Sequence, residues 1–151
     1  WNRATTGVNG TLYAASGLNG RAVVTGAGGT LLTSTDLSNW QAVPSGASAD
    51  LRGVTVDTAK FVVVGAGGAI LSSADGLSWT SVASGTTASL AAVTFASQFV
   101  AVGASGTVLT SLDGTTWLNP SSGSTSSLNG VFFGLGRYSA VGASGTNLTA
   151  F

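Results

Sequence analysis

The feature that most constrains this chain is an internal repeat of about 38 residues. Four tryptophans are separated by 39, 39 and 38 residues, and leucines and glycines recur in the same phase. These markers are Trp1, Trp40, Trp79 and Trp117; Leu12, Leu51, Leu90 and Leu128; Gly26, Gly65, Gly103 and Gly142; and Gly29, Gly68, Gly106 and Gly145. A unit of this size buries its apolar face by stacking on its neighbours. The chain is therefore predicted to be four stacked units.

Each repeat contains four short segments with strand character. In the third repeat they are Leu90–Ala96, Gln98–Gly103, Gly106–Leu112 and Thr116–Ser122. Apolar β-forming residues dominate these segments, and Gly, Ser and Asp-Gly separate them. No segment keeps a helical period over ten residues. Four strands in about 40 residues are typical of a propeller blade, so we predict an all-β fold, a β-propeller with four four-stranded blades.

The ends of the chain suggest how the last blade is completed. We expect one domain over residues 1–151, with repeats at about 12–50, 51–89, 90–127 and 128–151 plus 1–7. Phe151 falls on the third strand of the last repeat, and Trp1 aligns with Trp117, so the N-terminal strand Trp1–Gly7 is predicted to complete the last blade. This closes the ring and leaves no open sheet edge. Two closures remain open: a four-bladed monomer, and an eight-bladed homodimer in which that strand pairs with a second chain.

Composition and charge exclude several classes of binding site and partner. Lys and Arg number 5, Asp numbers 5, and the chain has no Glu, His, Cys or Met. These absences exclude disulfides, thiolate or imidazole metal sites, and Ser/His or Cys/His nucleophile pairs. A neutral chain lacks the positive surplus that nucleic acids attract. Gly and Ser interrupt every apolar run well short of the ~20 residues of a membrane helix. We therefore predict no cofactor, no metal, no nucleic-acid partner and no membrane span.

The surface is also unusually poor in charge. Charged residues make up 7% of the chain, against roughly a quarter in an ordinary soluble domain. Such a surface gives little repulsion between copies, which predicts a homo-oligomer or surface assembly; an extracellular domain with a hydroxyl-rich exterior is the alternative. We expect an extracellular or cell-surface location, or a periplasmic one. The chain begins at Trp1 without a signal peptide, as a mature or excised segment would.

Three repeats carry an aspartate in the turn between their third and fourth strands. We call these segments, Ser34–Trp40, Ser73–Trp79 and Ser111–Trp117, the box turns. Their sequence resembles the Asp box of sialidase-type (BNR) repeats, Ser-x-Asp-x-Gly-x-Thr-Trp, although it is one residue shorter and has Leu37 at the first glycine position. The whole repeat, with its leading Leu and its Val-Gly-Ala-x-Gly-Thr stretch, is similar to the propellers of photosystem II assembly factors and related bacterial proteins.

The box turns have a structural and a functional interpretation. In the structural one, Asp accepts backbone N–H bonds, Gly supplies a positive φ, Ser ties the flank and Trp covers the turn. In the functional one, the aspartates are catalytic groups or calcium ligands. We favour the structural role for the box residues, which are Ser34, Asp36, Trp40, Ser73, Asp75, Trp79, Ser111, Asp113 and Trp117.

Catalysis of the sialidase type is not expected. Sialidases that resemble this repeat use an arginine cluster, a Tyr nucleophile and a Glu partner, and this chain has no Glu. The two aspartates outside the box turns, Asp50 and Asp57, flank the short strand Leu51–Val56. They lie roughly 20 Å apart along extended chain, too far for the carboxylate pair of a glycosidase. We predict no enzyme and no catalytic residue; a fragment of a glycoside hydrolase propeller is the remaining enzymatic alternative.

Two sets of repeat-equivalent residues are candidate binding sites. Arg21, Lys60 and Arg137 share one position at the turn between the first two strands. They form either an anion-binding ring or exposed pairs with the box aspartates. The second set follows the marker leucines, where the residue type changes from blade to blade: Tyr13, Arg52, Ala91 and Asn129.

The second set leads to the functional prediction. Of its members, Tyr13, Arg52 and Asn129 are candidates for a small polar or glycan ligand, the alternative being unselected surface variation. We predict a non-catalytic binding or structural scaffold that self-associates or binds a partner. The alternative is a lectin-like carbohydrate-binding module.

Overall fold

The computed structural model describes residues 2–151, and these residues form fourteen β-strands. The strands are β1 (Leu12–Leu18), β2 (Arg21–Gly26), β3 (Leu31–Ser34), β4 (Gln41–Ala42), β5 (Leu51–Val56), β6 (Phe61–Gly65), β7 (Ile70–Ser73), β8 (Thr80–Val82), β9 (Leu90–Phe95), β10 (Phe99–Gly103), β11 (Val108–Ser111), β12 (Leu128–Gly134), β13 (Arg137–Gly142) and β14 (Asn147–Ala150). Short 3-10 turns follow the second strand of every repeat, at Ala27–Gly29, Ala66–Gly68, Ala104–Gly106 and Ala143–Gly145. Over residues 2–151, no helix has the length and apolarity needed to cross a bilayer.

Each repeat folds into its own antiparallel sheet, which we call blades 1 to 4. The strand orders are β1-β2-β3-β4, β5-β6-β7-β8, β9-β10-β11 and β12-β13-β14. Blades 1 and 2 have four strands. In blade 3 the fourth strand is reduced to one bridge, in which Thr110 and Leu118 exchange two 2.9 Å backbone hydrogen bonds. The predicted all-β propeller fold with four blades is confirmed.

The blades are held together by alternate faces of their middle strands. In blade 2, Phe61 and Val63 pack toward blade 1, whereas Val62 and Val64 pack toward blade 3. Successive side chains of a strand point to opposite faces, so a sheet that is covered on both sides carries an unbroken apolar run. The run Phe61–Gly65 is buried throughout for this reason.

The four blades form an arc rather than a closed ring. The innermost strands contact each other in the order β1–β5, β5–β9 and β9–β12, and no comparable contact joins β12 to β1. Among the described residues, no sheet covers the far face of blade 4, where Phe132 is 57% and Val141 44% exposed. The residue equivalent to Val141 in blade 3, Val102, is fully buried. The arc therefore ends in two uncovered faces, one on blade 1 and one on blade 4.

The predicted completion of blade 4 by Trp1–Gly7 does not occur within this chain. Trp1 lies outside the described residues. In the rest of the segment, Thr5 forms a parallel bridge with Asn39 in the box turn of blade 1, and β14 is the edge of its sheet. The reason is geometric, since blade 1 and blade 4 stand at opposite ends of the arc and their strands do not meet.

Candidate functional site

The second candidate set, the residues that follow the marker leucines, lies at a β-bulge that recurs in the first strand of every blade. In every blade the pairing of the first two strands shifts by one residue directly after the marker leucine, as between Leu12 and Ala14. Tyr13, Arg52 and Asn129 are therefore bulged residues, and all three are exposed. A β-bulge turns its side chain away from the regular pleat. We call this edge of the arc, formed by the starts of β1, β5, β9 and β12, the rim.

Asp50 brings two of the three candidates together. Its Oδ2 accepts a 3.3 Å hydrogen bond from the Tyr13 hydroxyl and lies 3.6 Å from Nη2 of Arg52. Its Oδ1 accepts a 3.0 Å bond from the backbone N–H of Gly28. The Gly28 N–H, followed by the Tyr13 hydroxyl and the Arg52 charge, lowers the pKa of Asp50 below its usual value. Asp50 is therefore an anion at neutral pH, and it holds an aromatic ring and a guanidinium side by side.

Sequence reasoning treated Asp50 only as a possible half of a catalytic pair. A signal for its actual position was present, because the equivalent residues in blades 3 and 4 are Ser89 and Ser127. In blade 3, Ser89 Oγ accepts the N–H of Gly67 at 3.3 Å, as Asp50 accepts that of Gly28. An acid that replaces serine at this position keeps the backbone bond and adds a charge.

Asn129 does not join this cluster. It occupies the bulge of blade 4, which is separated from blade 2 by blade 3. The structure therefore groups Tyr13, Asp50 and Arg52 as one site, and it leaves Asn129 as a separate exposed residue further along the rim.

The Ser and Asp side chains of each box turn form their hydrogen bonds within the same turn. In blade 3, Asp113 Oδ1 accepts the backbone N–H of Thr115 at 2.8 Å and that of Thr116 at 2.7 Å. Ser111 Oγ donates to the same oxygen at 3.0 Å and accepts the N–H of Gly114 at 2.8 Å. These bonds, chiefly the one from Thr116, hold the pKa of Asp113 far below its ordinary value.

The other two box turns are built in the same way. The backbone N–H of Asn39 is the main cause of the lowered pKa of Asp36, and that of Ser78 is the main cause for Asp75. One carboxylate oxygen of each aspartate is thus directed into its own turn. Over residues 2–151, no three acidic, His or Cys side chains come together in a way that could hold a metal ion.

Two of the box tryptophans, Trp79 and Trp117, pack at the junctions between blades. The ring of Trp79 lies 6.2 Å from that of Phe61, and Trp117 lies 6.3 Å from Phe99. Both phenylalanines face the preceding blade. Trp117 Nε1 also donates to the carbonyl of Gly114 at 3.3 Å. Each tryptophan therefore ties its turn to the apolar interface between two sheets.

Two of the three cations, Lys60 and Arg21, contact the box turn of the next blade at atoms other than its carboxylate. Lys60 Nζ donates to the backbone carbonyl of Asp113 at 2.7 Å, and Arg21 donates to Thr33 Oγ1 at 3.2 Å. The Arg137 guanidinium lies 4.2 Å above the ring of Phe151. The expected ion pairs with the box aspartates are not formed, since Arg52–Asp50 is the one ion pair in the described part of the chain.

An apolar cavity, which sequence reasoning did not foresee, lies between blades 3 and 4. Its volume is about 240 Å3, and its walls include Val100, Thr110, Tyr138 and Leu148. The Tyr138 hydroxyl at its side donates to the carbonyl of Gln98 at 2.9 Å and accepts the N–H of Gln98 at 3.1 Å.

Four stacked antiparallel blades around an inner row of strands define a β-propeller. A family model described as the DUF6242 beta propeller domain matches residues 1–119, and the chain belongs to this family. No curated protein matches the chain.

Two solved structures share the fold. YCF48 from Cyanidioschyzon merolae superposes with a TM-score of 0.73 at 18% identity, over 94% of this chain and 53% of that one. YCF48 bound to D1 peptide superposes with a TM-score of 0.74 at 15% identity, over 94% of this chain and 50% of that one. The chain thus spans about half the length of the structures it matches. The propeller part of the resemblance seen in the sequence is confirmed.

Proposed function

We propose that this propeller is a non-catalytic binding scaffold that holds a peptide segment of a protein partner at its rim. The observation that carries the proposal is the cluster of Tyr13, Asp50 and Arg52, which projects from bulges of neighbouring inner strands. The likeness in fold to YCF48 bound to D1 peptide supports a peptide as the ligand.

The chemistry of the cluster suits a peptide. Tyr13 is 43% exposed and offers a flat apolar ring with a hydroxyl at its end. Arg52, whose side chain is 45% exposed, contacts Asp50 through Nη2. The guanidinium is a planar fork of five N–H donors, so it can also bind a peptide carbonyl or carboxylate. Because these side chains start from paired strands, their positions are set before the ligand arrives.

An enzymatic role is not part of the proposal. The rim cluster has one carboxylate, Asp50, whose lowered pKa keeps it ionised at neutral pH. Glycoside hydrolysis ordinarily needs two carboxyl groups on opposite sides of the scissile bond, one of them able to donate a proton. The box aspartates are engaged within their own turns.

A peptide array followed by calorimetry tests the proposal. We expect the chain to select peptides, and we expect Tyr13→Ala and Arg52→Ala each to weaken binding at least ~10-fold, as loss of an anchor of about 1.4 kcal/mol would. Lys60→Ala is the matched control, because it removes a cation from the turn between β5 and β6, away from the rim. Selected peptides that bind both rim variants as tightly as the parent would contradict the proposal.

A glycan is the second candidate ligand, favoured by the exposed Tyr13 ring beside the charged hydrogen-bonding groups of Asp50 and Arg52. The same variants on a glycan array separate the two ligands. Specific sugar binding that Tyr13→Ala abolishes and Tyr13→Phe retains would support the glycan.

We also propose an extracellular, cell-surface or periplasmic setting and self-association of the chain. The low charged fraction of 7% and the zero net charge support a surface that tolerates close packing with other molecules. Fractionation of expressing cells with antibody detection tests the setting; recovery only in the cytosol would contradict it.

A further inference from the structure

We infer that two copies of this chain associate head to tail into an eight-bladed ring. In this arrangement, the uncovered face of blade 4 of one copy packs on the uncovered face of blade 1 of the other. The N-terminal segment of the second copy then serves as the fourth strand of that blade 4. This inference does not rest on peptide binding at the rim. Four features of the chain carry it.

The first feature is the crowding around the box glycines at the interior junctions. A Cβ added to Gly76 would lie 2.8 Å from Arg21 Cδ, 3.1 Å from Val23 Cγ2 and 3.3 Å from Phe61 Cε2. The first two atoms belong to the preceding blade and the third to the glycine's own blade. Gly114 in blade 3 is crowded by the residues equivalent to these. A box turn therefore has space only for glycine where the preceding blade presents a long cation and a valine and its own blade presents a phenylalanine.

Blade 1 has a leucine at that position, and the residues that would surround it are smaller. Leu37 is 65% exposed and has a φ of 61°. If blade 4 of a second copy covers it, the three crowding positions are occupied by Arg137, Ser139 and Ala22. Serine replaces the valine of the interior junctions, and alanine replaces the phenylalanine. The space needed by the Leu37 side chain is therefore available at a junction between blade 4 and blade 1.

A second exchange of large and small residues occurs deeper in the same junction. Phe132 stands where the other blades have Ser16, Thr55 and Thr94, on the face directed at the next blade. On the receiving face, Gly17 of blade 1 stands where the other blades have Val56, Phe95 and Phe133. At the interior junction of β5 and β9, a Cβ on Gly53 would lie 3.3 Å from Val93 N. Gly53 lies two residues before the position of Phe132 and Val93 two residues before that of Gly17, and residues two apart share a face, so the two positions lie on facing strands. Phe132 supplies the volume that Gly17 lacks.

The third feature is Gly145, which has space for a side chain although the equivalent glycines of the other blades do not. Gly29, Gly68 and Gly106 end the 3-10 turns, and a Cβ on any of them would collide with the carbonyl oxygen of the blade's exit turn, for example that of Ala47. Gly145 has the same place in blade 4, yet a Cβ there would have nothing within 4 Å. A positive φ alone does not require this glycine, because Ser144 beside it has a φ of 55°.

The N-terminal segment has the conformation of the missing exit turn. Thr6 Oγ1 donates to the carbonyl of Val8 at 3.4 Å, as Ser45 Oγ donates to the carbonyl of Ala47 at 3.2 Å. Gly7 has a φ of 71° and Gly46 a φ of 70°. Docked on blade 4 of another copy, this turn would place the Val8 carbonyl against Gly145, where glycine is then needed.

The fourth feature is the apolar cavity between blades 3 and 4. Its walls at Val100, Tyr138 and Leu148 correspond to Val62, Phe99 and Leu109 at the preceding junction, where Trp117 packs among them. Trp1 is the residue that aligns with Trp117. The cavity is therefore where the fourth strand of blade 4 would pack, and in the proposed ring the N-terminal segment of the second copy supplies that strand and pairs with β14.

A second copy fits the shape of the arc better than closure within one chain. Blade 1 and blade 4 of one chain are not in extensive contact, so the face at each end of the arc is free to pack on a second copy. The zero net charge of the chain adds no overall repulsion between copies.

Native mass spectrometry and light scattering on the 151-residue chain at micromolar concentration test the inference. We expect a dimer, with twice the 14.7 kDa mass of one chain. Phe132→Asp places a charge in the proposed junction, and Gly145→Ala places a Cβ where the Val8 carbonyl of the second copy would dock. Each is expected to raise the dimer dissociation constant at least ~30-fold. Leu112→Asp is the control, because Leu112 is 80% exposed and lies outside the junction.

Leu37→Gly separates the junction from simple folding effects. Glycine relieves the left-handed backbone of Leu37, so the single chain stays folded, while the dimer loses a side chain from its interface and its dissociation constant rises ~10-fold or more. A monomeric parent chain, an assembly of other than two copies, or a dimer that both Phe132→Asp and Gly145→Ala leave unchanged would overturn the inference.

Discussion

Lys60 Nζ in blade 2 donates a 2.7 Å hydrogen bond to the backbone carbonyl of Asp113 in the box turn of blade 3. The contact joins two residues 53 positions apart and ties one sheet to the next outside the apolar core. Arg21 lies in the same way against Gly76 of blade 2. Lys60 and Arg21 thus each link two adjacent blades, whereas Arg137 packs on Phe151 of its own blade.

Lys60→Met is expected to lower the free energy of unfolding by about 0.5–1 kcal/mol, because the exposed contact is lost while the aliphatic part of the side chain is kept. Urea unfolding measures the change. Lys60→Arg, which retains a donor, is the control and is expected to recover most of it. Equal losses in both variants would show that the contact with Asp113 does not contribute.

Tyr138→Phe is expected to cost about 1–3 kcal/mol of unfolding free energy, because the backbone N–H groups of Ser97 and Gln98 lose their acceptor at a partly buried junction. Tyr13→Phe removes a hydroxyl from an exposed 3.3 Å contact and should change stability by less than ~0.5 kcal/mol. Denaturant titrations of the two variants give the comparison. A Tyr138→Phe variant as stable as the parent would contradict the assigned role of the hydroxyl.

Gly76→Leu is expected to destabilise the chain more than Gly85→Leu. Both glycines have a positive φ, so leucine at either costs about 1–2 kcal/mol of backbone strain. Only Gly76 is also crowded by Arg21, Val23 and Phe61, which adds about 1–3 kcal/mol of overpacking. Thermal unfolding of the pair isolates the crowding; equal melting temperatures would refute it.

Stability should fall steeply in acid and stay flat near neutrality. The folded-state pKa values of Asp36, Asp50, Asp75 and Asp113 are lowered by hydrogen bonds to their carboxylates. The unfolded chain, with ordinary values near ~3.9, therefore binds more protons below about pH 5, and stability decreases as the pH falls through and below that range.

Melting temperatures from pH 2 to pH 8 check this expectation. Asp113→Asn should melt lower than the parent at pH 7, and the difference should shrink toward pH 2 as the parent's carboxylates are protonated. A parent melting temperature that rises on acidification would contradict the assigned pKa directions.

The repeat made much of the fold predictable. The strands of blade 3 were anticipated as Leu90–Ala96 and Gln98–Gly103 and are observed as Leu90–Phe95 and Phe99–Gly103. The rim position of Tyr13 and Arg52 was also found, because a variable residue inside a regular repeat is visible in one sequence. The hydrogen bond between Tyr13 and Asp50 was not predicted, because these residues are 37 positions apart and the distance between them depends on how blades 1 and 2 pack.

By itself, the amino-acid sequence determined the number of blades, their strands and their turns, because alternation, glycine positions and hydrogen-bonding side chains act over a few residues and recur in every unit. Only the tertiary structure decided that the arc stays open, that Thr5 pairs with Asn39, that Lys60 reaches Asp113, and that a cavity lies beside Tyr138. These depend on the angle and distance between whole sheets, which the packing of many side chains sets jointly and no local pattern encodes.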